Sequence, residues 1–148
     1  VRYILRRSGF QDVQRGLKIY QDDYGLTEKQ TSKPFTDIDI VAYNKSDEKI
    51  LICELKNWST EVDPSVIEDW VENKLNRLVE YLQTRFGPQK TIEAWYVVAR
   101  KSSRTDDKAI QGKCKCKIAI LSKLDLVDKV VAKMNPHMAR ELRPIVLY

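Results

Sequence analysis

Two carboxylates and one ammonium group, Asp39, Glu54 and Lys56, have the types and the spacing to do chemistry together. Each lies in a stretch that reads as a β-strand. Thr36-Asp37-Ile38-Asp39-Ile40-Val41-Ala42-Tyr43 alternates polar and apolar at its start, and Lys49-Ile50-Leu51-Ile52-Cys53-Glu54-Leu55-Lys56 is rich in branched apolar residues. Asn44-Lys45-Ser46-Asp47-Glu48 supplies a polar turn, so the two runs form a hairpin. With an even loop centred on Ser46-Asp47, Asp39 faces Glu54 and Asp37 faces Lys56 on one side of the sheet. An odd loop needs a bulge to keep the same faces together. Directly opposed side chains lie about 5 Å apart. Carboxylates that close repel each other unless a cation sits between them, and a lysine two residues along the same strand shares their face. The chemistry this suggests is a divalent metal site with a lysine beside it.

The elements that must position these groups follow from the rest of the pattern. Ser8 and Gln11 have capping-box spacing, and Phe10, Val13, Leu17, Tyr20 and Tyr24 recur at steps of three and four up to Gly25, which predicts a first helix. Leu26 to Thr31 fits a short strand, and Ser32-Lys33-Pro34-Phe35 breaks it before the hairpin. After the hairpin, Asp63-Pro64 or Ser65 with Glu68 starts a long helix. Ile67, Trp70, Val71, Leu75, Leu78, Leu82 and Phe86 form its apolar stripe, and Gly87-Pro88 ends it. Thr91 to Ala99 is apolar enough to be a strand buried on both faces. A basic, polar connection carrying Arg100, Lys101, Arg104, Lys108, Lys113, Lys115 and Lys117 leads to a strand at Ile118 to Leu121. Ser122 with Asp125 opens a last helix that Asn135-Pro136 stops, and Pro144 to Tyr148 fits an edge strand. Because the strands after the long helix return by crossovers, the sheet is mixed and flanked by helices.

The 148 residues suffice for one domain, 1–148, with its own core, and the start at Val1 fits a processed chain or a domain cut from a longer one. Lys plus Arg number 26 against 21 Asp plus Glu, a net charge of +5 that favours a polyanionic partner but is mild for a nucleic-acid binder. No apolar run approaches the ~18 to 20 residues that span a bilayer and no signal-peptide pattern opens the chain, so the expectation is a soluble, intracellular, cytoplasmic protein without a membrane partner. Cys53, Cys114 and Cys116 do not make a disulfide framework. Cys114-Lys115-Cys116 lacks the spacer and second pair of a structural zinc site, and His137 is the one histidine.

In this arrangement the chain resembles the PD-(D/E)xK nuclease superfamily, the restriction-endonuclease-like fold. Thr36 to Ala42 matches its acidic second strand, Ile52-Cys53-Glu54-Leu55-Lys56 its Glu-x-Lys strand, and the likeness runs from about Ser8 to Leu121. Between Gly25 and Lys56 the chain is most similar to the archaeal Holliday-junction resolvases and related archaeal or viral nucleases, with Ser32 or Thr31 matching their serine. It departs from them at Gln11-Asp12, where resolvases carry Glu-Arg, and it has Ile38 rather than proline before Asp39. Arg77 and Tyr81 have the spacing of the Gln-x-x-x-Tyr element of the RecB-like branch, with arginine in place of glutamine. The resemblance implies an α/β fold with an αβββαβ core and a mixed central sheet flanked by helices. It also implies a Mg²⁺- or Mn²⁺-dependent nuclease that hydrolyses phosphodiester bonds in DNA ahead of RNA, as an endonuclease of structured or branched substrates in repair or recombination. Asp39, Glu54 and Lys56 would be catalytic. Asp39, Glu54 and the Leu55 backbone carbonyl would hold the metal, with Asp37 and Asp12 as further acidic candidates for a second ion. Ser32, Lys74, Arg77, Arg100, Lys101 and Arg104 would touch the nucleic acid.

Each reading has a plainer rival. Asp39, Glu54 and Lys56 also fit a solvated sheet face with one weak ion pair, although flanking isoleucines and leucines make unpaired charge there expensive. Asp37 fits a neighbour of Lys56 or a capping acceptor, Asp12 a solvated helix flank, and the basic connection a flexible loop. Two further functions fit the same fold: a nucleic-acid-binding domain without cleavage, and an RNase. Cutting both strands of a symmetric junction needs two sites related by a twofold axis, which admits a homodimer.

Overall fold

Asn44 makes the turn from which the sheet grows. In the computed structural model, which describes residues 5–6, 9–10, 12–19, 36–56, 61–87 and 90–131, its Oδ1 accepts from Ser46 N at 3.0 Å and Asp47 N at 3.4 Å, and Glu48 takes a positive φ of 50°. An aspartate or asparagine that bonds the backbone ahead of it is a turn former for that reason. The loop is even, and β2 (Thr36–Asn44) pairs antiparallel with β3 (Lys49–Lys56) in the expected register, Asn44 opposite Lys49 and Ile40 opposite Cys53.

Ahead of the hairpin the chain differs from the expectation. Residues 12–19 form a strand, β1 (Asp12–Ile19), antiparallel to β2, and not a helix. Val13 and Leu17 are four apart, a spacing that puts side chains on one face of a helix and equally on one face of a strand. The pairing with β2 decides between them. Gly16 lies in the left-handed region at φ 59°, away from helical geometry. The predicted strand at 26–31, the edge strand at 144–148 and the end of the last helix beyond residue 131 lie outside the described residues.

The long helix begins as its sequence indicates. Asp63 Oδ1 accepts from Ser65 N at 2.9 Å, and Pro64, which has no N–H to lose, stands first in α1 (Pro64–Trp70). A π-helical turn, Val71–Leu75, then joins α1 to α2 (Asn76–Phe86), and φ 85° at Gly87 marks the end. β4 (Thr91–Val98) returns parallel to β3. The basic connection contains a further helix, α3 (Asp107–Lys113), whose start is fixed by Asp106 accepting from Ala109 N at 3.1 Å. β5 (Lys117–Ser122) runs parallel to β4 and feeds α4 (Lys123–Val131) through a reciprocal cap: Asp125 Oδ2 accepts from Ser122 N at 2.9 Å, and Ser122 Oγ accepts from Asp125 N at 3.1 Å.

The result is an α/β architecture with a mixed five-stranded sheet of order β1-β2-β3-β4-β5 between two helical layers. On one face, Ile50, Ile52, Ala94, Tyr96 and Val98 meet Ile67, Trp70, Val71, Leu75, Leu78 and Val79 of the helix, together with Ile110 of α3. On the other, Leu51, Cys53, Trp95 and Val97 meet Leu126 of α4 and Leu5 and Phe10. Phe86, expected on the apolar stripe, is 54% exposed. No helix among the described residues is long and apolar enough to cross a membrane.

Leu75, 1% exposed at the end of the π turn, carries the packing between helix and sheet. Leu75→Ala is expected to lower unfolding free energy by about 2–5 kcal/mol, whereas Phe86→Ala changes it by less than about 0.5 kcal/mol. Urea denaturation of both variants checks this, and equal costs would mean that the helix faces the sheet differently.

Candidate active site

Asp39 sits where the sheet is locally irregular. Its partner position on β1 is Gly16, flanked by the pairs Arg15 with Ile40 and Leu17 with Ile38, and these two residues do not pair. On the other side the β2–β3 ladder stops at Ile40 and Cys53, one pair short of Asp39 and Glu54. Ile38 packs into the helix-side core while Ile40 packs into the opposite one, so the alternation of faces is interrupted between them. In place of ladder bonds the Asp39 side chain holds the strands together: its Oδ2 accepts from Leu55 N at 2.8 Å. An added Cβ at Gly16 would meet nothing within 4 Å, so the positive φ of 59° and not space beside Asp39 is what favours glycine there.

Glu54 belongs to the helix-side face of β3, where it lines a small hollow with Ile38, Ile52, Trp70, Lys74 and Leu78. Its side chain is 9% exposed, and Lys56 Nζ lies 2.6 Å from its Oε1. Burial pushes the Glu54 carboxyl above the usual carboxylate range, the Lys56 hydrogen bond pulls back, and the nearby charge of Asp39 pushes up again. Lys74, from the π turn, adds a further lowering influence. The two carboxylates are therefore close enough to feel each other and are covered enough for that to matter. Among the described residues each has one oxygen engaged, Asp39 by Leu55 N and Glu54 by Lys56, which leaves a second oxygen on each as a donor. Two hard oxygen donors suit a divalent cation that keeps several waters. No cluster of three or more His, Cys, Asp or Glu occurs among the described residues.

One aromatic group beside the site escaped the sequence reading. Tyr96 lies beside Glu54 in the parallel β3–β4 register, is fully buried, and meets Trp70 edge to face at 5.2 Å between ring centroids. Its hydroxyl has no hydrogen-bond partner among the described residues, and burial, followed by the charges of Glu54 and Asp39, raises its pKa. The signal available in the sequence was a lone hydroxyl-bearing residue within the apolar run Ala94 to Ala99.

The remaining site residues are distributed unevenly. Asp12 starts β1 opposite Tyr43, four residues from Gly16 and so about 13 Å along the strand from the level of Asp39; it is separate from the carboxylate pair. Asp37 is paired with Lys18 across β1 and β2, not with Lys56, and its side chain lies outside what is described. Ser32 lies outside the described residues. Lys74 borders the hollow, while Arg77 is exposed on α2. Arg100 is exposed just past β4, but its neighbours are bound to acids: Lys101 to Asp107 at 2.6 Å and Arg104 to Asp63 at 3.2 Å. Further along, Lys113 pairs with Glu68 at 2.7 Å and Lys115 pairs with Glu80. Much of the basic connection thus fastens α3 and its flanks to the long helix, which the expectation of a flexible loop overlooked.

Comparison with known proteins adds little to this geometry. No family model and no curated protein matches the chain. Among solved structures, an EndoMS–dsDNA2 complex is similar at a TM-score of 0.39 and 14% identity over 79% of this chain; the chain spans 39% of that chain's length, and at this score the likeness carries no argument.

Proposed function

We propose that this protein is a metal-dependent nuclease of the PD-(D/E)xK type, hydrolysing phosphodiester bonds in DNA and acting as an endonuclease on structured or branched substrates. One observation carries the reading: Lys56 Nζ stands 2.6 Å from a nearly buried Glu54 carboxylate, next to Asp39, whose own carboxylate is fixed to the backbone N–H of Leu55. A sheet covered on both faces keeps such charges only where something compensates them. Asp39 and Glu54 would hold Mg²⁺ or Mn²⁺, with the Leu55 carbonyl as a further oxygen donor. When bound, the ion would lower the pKa of water and neutralise charge on the scissile phosphate.

The chain's own residues have distinct roles in this reading. Asp39, tethered to Leu55 N, keeps its geometry without waiting for substrate. Lys56 orients the attacking water and offsets the negative charge that builds on the non-bridging oxygens. Water adds to phosphorus, the bond to the leaving sugar oxygen breaks, and the proton shed by the water goes to solvent while the leaving oxygen takes one up. Lys74, at the rim of the hollow, offers a cation to the substrate backbone. Apart from Glu54 and Lys74 the hollow is lined by aliphatic side chains and Trp70, so it offers few groups for reading base edges, which favours recognition of shape over sequence.

The direct test is cleavage of labelled four-way junction, linear duplex, single-stranded DNA and RNA with Mg²⁺ or Mn²⁺. Wild type is expected to cut the junction most readily, and Glu54→Gln and Lys56→Met to reduce kcat by at least about 100-fold. Tight binding with no cutting by any variant would turn the reading to a binding domain, and preferential cutting of RNA to an RNase.

The pH dependence has a defined sign. Glu54 has a raised pKa, so the fold favours its protonated form; that contribution to stability is complete below the ordinary value of 4.5 and is lost as pH rises through the raised value. A bound divalent ion would itself pull that pKa down, so the raised value belongs to the metal-free protein. There, carboxyl-carbon NMR should find Glu54 titrating above 4.5. Asp39→Asn removes one of the charges that raise the Glu54 pKa, so carboxyl-carbon NMR should find Glu54 titrating lower in that variant. An unchanged titration would place Asp39 too far away to act with Glu54.

A further inference from the structure

The stretch that joins α3 to β5 carries two thiols with no part in the hydrolytic site. Cys114 Sγ and Cys116 Sγ lie 3.7 Å apart. The backbone beneath them is held at several points. Cys114 N donates to Gln111 O at 3.1 Å, Gln111 Nε2 donates to Cys116 O at 2.9 Å, and Ile118 N donates to Gln111 Oε1 at 3.0 Å. Asn76 grips the same stretch from the long helix, its Nδ2 donating to Lys113 O and its Oδ1 accepting from Lys115 N, each at 2.8 Å. From 3.7 Å the sulfurs need to close by about 1.7 Å to reach the covalent S–S distance of about 2.05 Å. The two thiols are unlike: Cys114 is half-buried, whereas Cys116 is 9% exposed.

We propose that Cys114 and Cys116 form a thiol–disulfide exchange site for small disulfides of the glutathione type, with Cys114 as the attacking sulfur and Cys116 as the resolving one. In the first step the Cys114 thiolate attacks one sulfur of the reagent. A bond forms between them, the reagent's S–S bond breaks, and its other half leaves as a thiolate that takes up a proton. In the second step Cys116 gives its proton to solvent and attacks Cys114 Sγ, expelling the remaining thiolate. Two cysteines are oxidised by two electrons in all, and one disulfide is reduced to two thiols. The hydrogen bond with Cys116 lowers the Cys114 pKa to about 7, and the same contact together with burial raises that of Cys116, which divides the roles in this order. Cys53, fully buried and pushed up to about 12 chiefly by burial, serves as an internal control that should not react in the folded protein.

The test is intact-mass spectrometry of the folded protein over time with oxidised glutathione, with circular dichroism confirming the fold of each variant. Wild type is expected to end two hydrogens lighter after a transient adduct. Cys116→Ser should accumulate one stable glutathionyl adduct, and Cys114→Ser should react at least about tenfold more slowly than Cys116→Ser. A stable adduct on wild type, equal reactivity of the two variants, or no reaction with the folded chain would each overturn the proposal. None of these outcomes depends on the nuclease reading.

Discussion

The hydrogen bond from Leu55 N to Asp39 Oδ2 is the interaction on which the site depends. A ladder between β2 and β3 normally satisfies each strand N–H with a facing carbonyl, and here a side-chain carboxylate takes over one residue past the end of the ladder. That substitution falls where the β1–β2 ladder is interrupted as well, since Gly16, in the left-handed region at φ 59°, does not pair with Asp39. The bond fixes the carboxylate next to Glu54 and ties the strand that carries Glu54 and Lys56 to the strand that carries Asp39. A carboxylate held this way keeps its orientation without further ordering of the chain.

Around that bond the molecule is arranged to keep a few charges in a largely apolar place. The helix-side core comes up to Glu54 through Ile52 and Trp70, and the buried Tyr96 stands beside it across the β3–β4 register. Glu54 stays tolerable there because Lys56 follows it on the same face. At the opposite end of the sheet Glu93 is held in a comparable way, by Lys49 at 3.2 Å and by Trp95 Nε1 at 2.8 Å, with no second carboxylate among those contacts. Burial of an acid is therefore not what distinguishes Glu54; its company is.

Much of this was legible in the chain because the signals were local. The hairpin, its even turn at Asn44, the Asp63-Pro64 start and the Ser122–Asp125 cap all depend on residues within a few positions of one another. What the sequence concealed depends on distant partners. Val13 and Leu17 suit helix and strand alike, and only the β2 ladder separates the two. The lysines between Arg100 and Lys117 look available until Glu68, Glu80 and Asp107 come into view, two of them from an element about forty residues earlier. Tyr96 joins Glu54 only through a parallel register, which no short-range pattern encodes.

The π turn from Val71 to Leu75 also bears on how this chain can change over generations. A π turn holds one residue more than an α turn, and the halves on either side both press on the sheet through Ile67, Trp70, Leu78 and Leu82. The widened turn absorbs that residue, whereas a smooth α-helix of the same length would turn one half by about 100° against the other and lift one of the two faces off the core. The span from Asp63 to Gly87 can therefore shed the extra residue by closing the turn with both faces still on the sheet, so this turn is a place inside the helix where a change of length is absorbed.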